Sequence, residues 1–223
     1  RDLRMSRGLG DVYKRQIKVC GTRRADDIHY INRYRPDYAG FILSDGFKRT
    51  VEFGAFCKLE SCLDRDIKRV GVFVNEPPEN ILKYYSDMLD IIQLHGDEDR
   101  SYISKLSESC SCEIWKAVRA RTSAEIEAAC ELPVRKLVID SYSQSAYGGT
   151  GQRVDAEIIK NAKITKPFFL AGGLSPENII QAVDDIQPYG VDFSSSVETD
   201  GYKDEEKIKK IFEQLKKLNE RGI

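Results

Sequence analysis

Cys20 and Asp140 are the side chains in this chain best suited to move protons. One is a thiol and the other a carboxyl, and each closes a short apolar run: IKVC (17–20) and KLVID (136–140). An ordinary thiol, with a pKa of about 8.5, is a few per cent ionised at neutral pH and acts as a base where neighbours stabilise the thiolate. A carboxyl acts as an acid at neutral pH only if its pKa is pushed up from about 3.9. A rise of roughly 2–3 units corresponds to about 3–4 kcal/mol, which burial can supply. Both residues also have a structural reading, Cys20 as a small buried hydrophobe and Asp140 as a loop cap.

A second constellation suits an anion. LAGGLSPENI (170–179) passes from an apolar run to helix-like sequence through Gly172 and Gly173, which leave backbone N–H groups open to a phosphate at a helix start. Ser194 and Ser195 follow the next apolar run and add hydroxyl and amide donors. The glycines alone make only a tight turn; with the serines they predict a phosphate site. Lys48 and Arg49 lie after the second apolar run, Gln93 and His95 end the fourth, and Asp192 lies in the eighth. His95 is expected to line a pocket, and His29 to lie on a helix surface. Cys57…Cys62 and Cys110-Ser-Cys112 are not metal-ligand spacings, and no histidine pair completes them, so no metal is expected. YGGTG (147–151), just beyond Asp140, reads as a loop able to close over a ligand.

These residues need elements to position them. Apolar runs recur at 17–20, 38–43, 70–74, 91–95, 113–118, 136–140, 168–171 and 191–195. Their continuous apolar character fits strands buried on both faces, as in a parallel sheet. Between them lie helix signals: Ser123 before AEIEAAC, Ser175-Pro176-Glu177 before Ile179, Ile180 and Val183, and a terminal stripe of Ile208, Ile211, Phe212 and Leu215. Eight strand–helix repeats predict an α/β protein with one (β/α)8 barrel, whose strand ends gather at one mouth. A doubly wound open sheet is the rival; it needs a glycine fingerprint after the first strand, where only Cys20-Gly21 stands. Residues 1–16 are basic and aperiodic and are set aside as an extension, leaving 17–223 as the barrel domain.

Composition narrows the class. The 223 residues are 41% hydrophobic and 32% charged, enough to build a core, with a net charge of -1. Without the first sixteen residues, which hold five basic and two acidic side chains, that charge becomes -4. Neither value favours nucleic acid or an anionic membrane as partner. No run approaches the roughly 18 apolar residues of a membrane span, no signal peptide is expected, and six cysteines suit a reducing cytoplasm.

At these positions the chain resembles the phosphoribosylanthranilate isomerases of tryptophan biosynthesis. The likeness runs through KVCG (18–21), Gly40-Phe41, Lys48-Arg49, VGVFVNEP, QLHG (93–96), Asp140 with YGGTG, LAGGLSPEN and PYGVDFSSSVE (188–198). The resemblance implies a cofactor-free Amadori rearrangement, with Asp140 as general acid and Cys20 as general base. It places Arg49 on the anthranilate carboxylate, Gly172, Gly173, Ser194 and Ser195 on the phosphate, and Asp192 near the amine. The implied partner is a small phosphorylated molecule, and the implied assembly a monomer or homodimer. Two departures stand out: Ser196 where the family has glycine, and Thr22 where it has an apolar residue. The related isomerase of histidine biosynthesis would carry aspartate at Cys20 and phosphate motifs in both half-barrels. A barrel that binds phosphate without turnover is the alternative outside enzymes.

Overall fold

In the computed structural model, residues 15–141 and 156–220 are described. Among these residues, eight barrel strands alternate with eight α-helices. β1 (Gln16–Cys20), α1 (Ala25–Tyr34), β2 (Tyr38–Ile42), α2 (Phe53–Ser61), β3 (Lys68–Phe73), α3 (Pro78–Tyr84), β4 (Ile91–Leu94) and α4 (Arg100–Ser109) form the first half. β5 (Glu113–Ala120), α5 (Ser123–Cys130), β6 (Lys136–Ser141), α6 (Ala156–Asn161), β7 (Phe168–Ala171), α7 (Ile179–Ile186), β8 (Gly190–Phe193) and α8 (Glu205–Glu220) form the second. The strands pair in chain order, all parallel, and β8 pairs back onto β1 to close the barrel. The (β/α)8 expectation is met, and the open sheet is excluded by the β1–β8 ladder.

Strand alternation divides the core in two. Ile17, Val19, Leu94, Ile139, Leu170 and Val191 point outward and pack with helix residues such as Ile28, Ile103, Ile126 and Ile208. Tyr38, Val70, Ile91, Trp115, Val138 and Phe169 point inward and form a separate cluster. Trp115 stacks on Phe169 at 4.8 Å between ring centroids, and Tyr38 meets both edge-on. These rings fill the barrel toward the strands' amino ends. Inward side chains nearer the carboxyl ends are polar: Lys18, Gln93, Asp140 and Asp192.

Several boundaries differ from expectation, each for a local reason. α5 is capped by Thr122, not Ser123: Thr122 Oγ1 accepts from Glu125 N, and Glu125 reaches back to Thr122 N. α7 opens at Ile179, because Ser175 Oγ accepts from Glu177 N and Asn178 Oδ1 from Ser175 N, closing a separate turn first. Ser194 and Ser195 lie past β8; the backbone turns at Ser194 (φ −130°, ψ −97°) into a 3-10 turn over Ser195–Val197. β1 opens at Gln16, one residue before 17, and Arg15 donates to Pro188 O at 2.7 Å. YGGTG lies outside the described residues.

One element had not been anticipated. β9 (Glu198–Thr199) and β10 (Tyr202–Lys203) form a hairpin whose turn residues, Asp200 and Gly201, both have positive φ. Asp-Gly is the usual sequence of such a two-residue turn.

Candidate active site

Parity and strand ends bring the chemistry together. Cys20 is the last residue of β1, on the same face as Lys18, and faces Gly40 of β2 across the ladder. A Cβ at Gly40 would lie 2.9 Å from the Cys20 sulfur, so the glycine makes room for the thiol. Cys20, Arg49, His95, Asp140, Gly172, Gly173, Asp192, Ser194 and Ser195 all line one cavity of about 200 Å³ at the strands' carboxyl ends. All six cysteines are free thiols. His29 is exposed on α1, as expected.

Among the described residues, three buried polar atoms of side chains lining this cavity have no hydrogen-bond partner: Gln93 Oε1, His95 Nε2 and Asp192 Oδ1. Unsatisfied buried groups of this kind cost about 1–3 kcal/mol each, so three around one cavity mark a site built for a polar ligand.

Lys18 is the residue the sequence reading missed. It is fully buried, and its Nζ lies 2.7 Å from Asp192 Oδ2 across the β1–β8 seam. Burial works against its charge, but Asp192 and the Cys20 thiol beside it hold its pKa above the ordinary lysine range. Asp192 is thus committed through one oxygen and open through the other. The signal was there: a lysine inside the otherwise apolar IKVC run, two residues before the thiol.

Burial is also the main cause pushing the Asp140 carboxyl above the usual carboxylate range, with Asp192 adding repulsion, while Arg119 and Lys18 oppose the rise. Arg119, in register with Asp140 on β5, was also missed. His95 Nε2 lies 3.9 Å from Asp140 Oδ2, too far for a hydrogen bond. Burial, then Arg119, Lys18 and Lys116, lower the His95 pKa to about 4, so at neutral pH the imidazole is uncharged and the contact is not an ion pair.

That shift has a measurable consequence. The unfolded chain takes up the histidine proton near pH 6.5 and the folded chain only near pH 4, so stability is complete above 6.5 and falls as pH drops between the two. A difference from 6.5 to about 4 corresponds to a loss of about 3 kcal/mol. Urea unfolding at pH 7.5 and pH 4.5 is expected to show a smaller loss in His95→Asn than in the parent. Equal losses would refute the assignment.

At the anion corner, Gly172 and Gly173 have φ of +81° and +63°, conformations that favour glycine. Asn178 Nδ2 donates to Gly173 O at 2.8 Å and fixes the turn. Ser196 lines the cavity without a positive φ, so the serine there meets no backbone strain. Thr22 is fully buried, and among the described residues its hydroxyl has no hydrogen-bond partner.

A family model described as N-(5'-phosphoribosyl)anthranilate isomerase matches residues 17–214. The chain belongs to this isomerase family. A relative named N-(5'-phosphoribosyl)anthranilate isomerase from Thermoanaerobacter sp. (strain X514) is 42% identical over 202 residues, spanning 90% of this chain and 98% of the relative. The crystal structure of the phosphoribosyl anthranilate isomerase from Thermotoga maritima superposes with a TM-score of 0.80 at 32% identity, covering 91% of this chain and 99% of that one. A phosphoribosyl anthranilate isomerase in complex with reduced 1-(o-carboxyphenylamino)-1-deoxyribulose 5-phosphate gives a TM-score of 0.77 at 30% identity, with the same coverage. Among the described residues of this isomerase-family chain, no helix is long and apolar enough to cross a membrane.

Proposed function

We propose that this chain catalyses the Amadori rearrangement of N-(5-phosphoribosyl)anthranilate to 1-(2-carboxyphenylamino)-1-deoxyribulose 5-phosphate in tryptophan biosynthesis, by acid and base catalysis without a cofactor. The carrying observation is one cavity that holds a carboxyl whose pKa is raised chiefly by burial and, three strands round the ring, a buried thiol beside a lysine ammonium.

Asp140 gives its proton to the ribose ring oxygen as the C1–O bond breaks and the nitrogen lone pair forms the Schiff base. Cys20, as the thiolate, then removes the C2 proton. The C–H electrons form the C1–C2 double bond and neutralise the iminium, and tautomerisation gives the ketose. Lys18 supplies a fixed positive charge beside the sulfur. Gly172, Gly173, Ser194 and Ser195 hold the phosphate through backbone and hydroxyl donors, as the mild net acidity of the chain requires. Arg49 meets the anthranilate carboxylate and Asp192 the amine. The enzyme acts in the cytoplasm as a monomer or homodimer.

The test is turnover by the purified chain on freshly generated phosphoribosylanthranilate, together with rescue of a tryptophan auxotroph lacking only this isomerase. Turnover and rescue are expected. A folded protein that binds the phosphorylated substrate but gives neither would support a binding barrel instead.

A further inference from the structure

We propose that Glu198, braced by Lys203, is a positioning residue that aims Arg49 into the cavity and thereby sets selectivity for a carboxylate on the substrate's aromatic ring. The proposal rests on the reading above that Arg49 meets that carboxylate.

Glu198 and Lys203 are cross-strand partners in the Asp200-Gly201 hairpin. The Glu198 side chain is 7% exposed and that of Lys203 fully buried. A single oxygen, Glu198 Oε1, takes both cations: Lys203 Nζ at 2.6 Å and Arg49 Nη1 at 3.2 Å. Lys203 Nζ also donates to Ser194 O at 3.1 Å, and Arg49 Nη1 donates to Ser194 Oγ, so the bracket joins the anion corner as well. The one buried carboxylate is thus shared between two cations, which leaves the Arg49 guanidinium open to an incoming anion.

The bracket fixes direction as well as charge. Among the described residues, Arg49 makes hydrogen bonds through Nη1 alone, leaving Nε and Nη2 for a ligand where the side chain lines the cavity. A guanidinium held by one corner offers its remaining edge as a planar fork, the geometry that matches a carboxylate. The hairpin is itself held in place. Arg23 and Arg24 lie over the Tyr202 ring at 4.1 and 4.2 Å, Arg23 Nη2 donates to Gly201 O, and Arg24 Nη2 donates to Lys203 O at 3.1 Å. Gly21 completes the seat. Its φ is +85°, and a Cβ there would lie 3.0 Å from Arg49 Nη1 and 3.5 Å from both Glu198 Oε1 and Lys203 Nζ.

The experiment compares two stable probes: the reduced product analogue, a secondary amine bearing the ring carboxylate, and its counterpart without that carboxylate. The parent is expected to bind the first about 30-fold more tightly, the range of a charge-assisted contact. In Glu198→Gln that preference is expected to fall to about 3-fold, with affinity for the descarboxy probe changed far less than that for the carboxylated one and KM raised far more than kcat. Glu198→Asp keeps the charge but withdraws it by one methylene, and is expected to lose the preference too, should the glutamine variant fail to fold. If parent and Arg49→Ala discriminate equally, the role given to Arg49 fails. If Arg49→Ala loses the preference while both Glu198 variants keep it, the bracket alone is overturned.

Discussion

Asp140→Asn is expected to lower kcat by about 10²–10⁴-fold, the range for a lost general acid, while KM changes little. Asparagine keeps the size of the side chain and removes only the proton to be given. The same substitution tests the electrostatics. Burial and Asp192 raise the Asp140 pKa on folding, so the native state binds this proton more tightly than the unfolded chain does. Folding is therefore opposed as pH rises and the carboxyl ionises. Asp140→Asn removes that opposition, so the variant is expected to be at least as stable as the parent at neutral pH in urea unfolding. A variant that unfolds more easily and retains near-parental kcat would sink both the role and its physical cause.

Cys20→Ala is expected to reduce kcat by a similar factor, about 10²–10⁴, because no other thiol lines the cavity. Phosphate-ester binding is expected to survive, since the glycine and serine donors are untouched. Single-turnover rates and binding of the reduced analogue separate the two effects. The acid and the base also oppose one another in pH: the reaction needs Asp140 protonated and Cys20 ionised at once. The parent kcat is thus expected to pass through a maximum, with Asp140 governing the limb that falls as pH rises. Near-full activity in Cys20→Ala would move the base elsewhere.

Most of the barrel was legible because parallel strands buried on both faces leave continuous apolar runs, and eight of these recur with room for a helix between each pair. The cavity was legible because strand parity and strand ends fix which side chains look inward. What stayed hidden were relations between elements. Lys18 sits in an apolar run, yet its meaning depends on Asp192, which reaches it only through barrel closure. Glu198 and Lys203 read as charges in a polar stretch; only the two-residue Asp200-Gly201 turn pairs them, and strands of two residues carry no periodicity. Thr122 caps α5 because the Ser123 hydroxyl instead donates to Ile158 O, and α7 starts late because Ser175 and Asn178 accept backbone donors in a turn ahead of it.

The Lys18–Asp192 contact joins residues 174 positions apart, the first strand to the last. During synthesis, therefore, the thiol's strand waits for nearly the whole chain before its ammonium has a counter-charge. Until β8 arrives, enclosing Lys18 would strand a lone charge in an apolar interior, which disfavours sealing the seam early. Completion of the ring and assembly of the charged pair beside the thiol therefore coincide, and a chain stopped short of β8 is expected to be inactive.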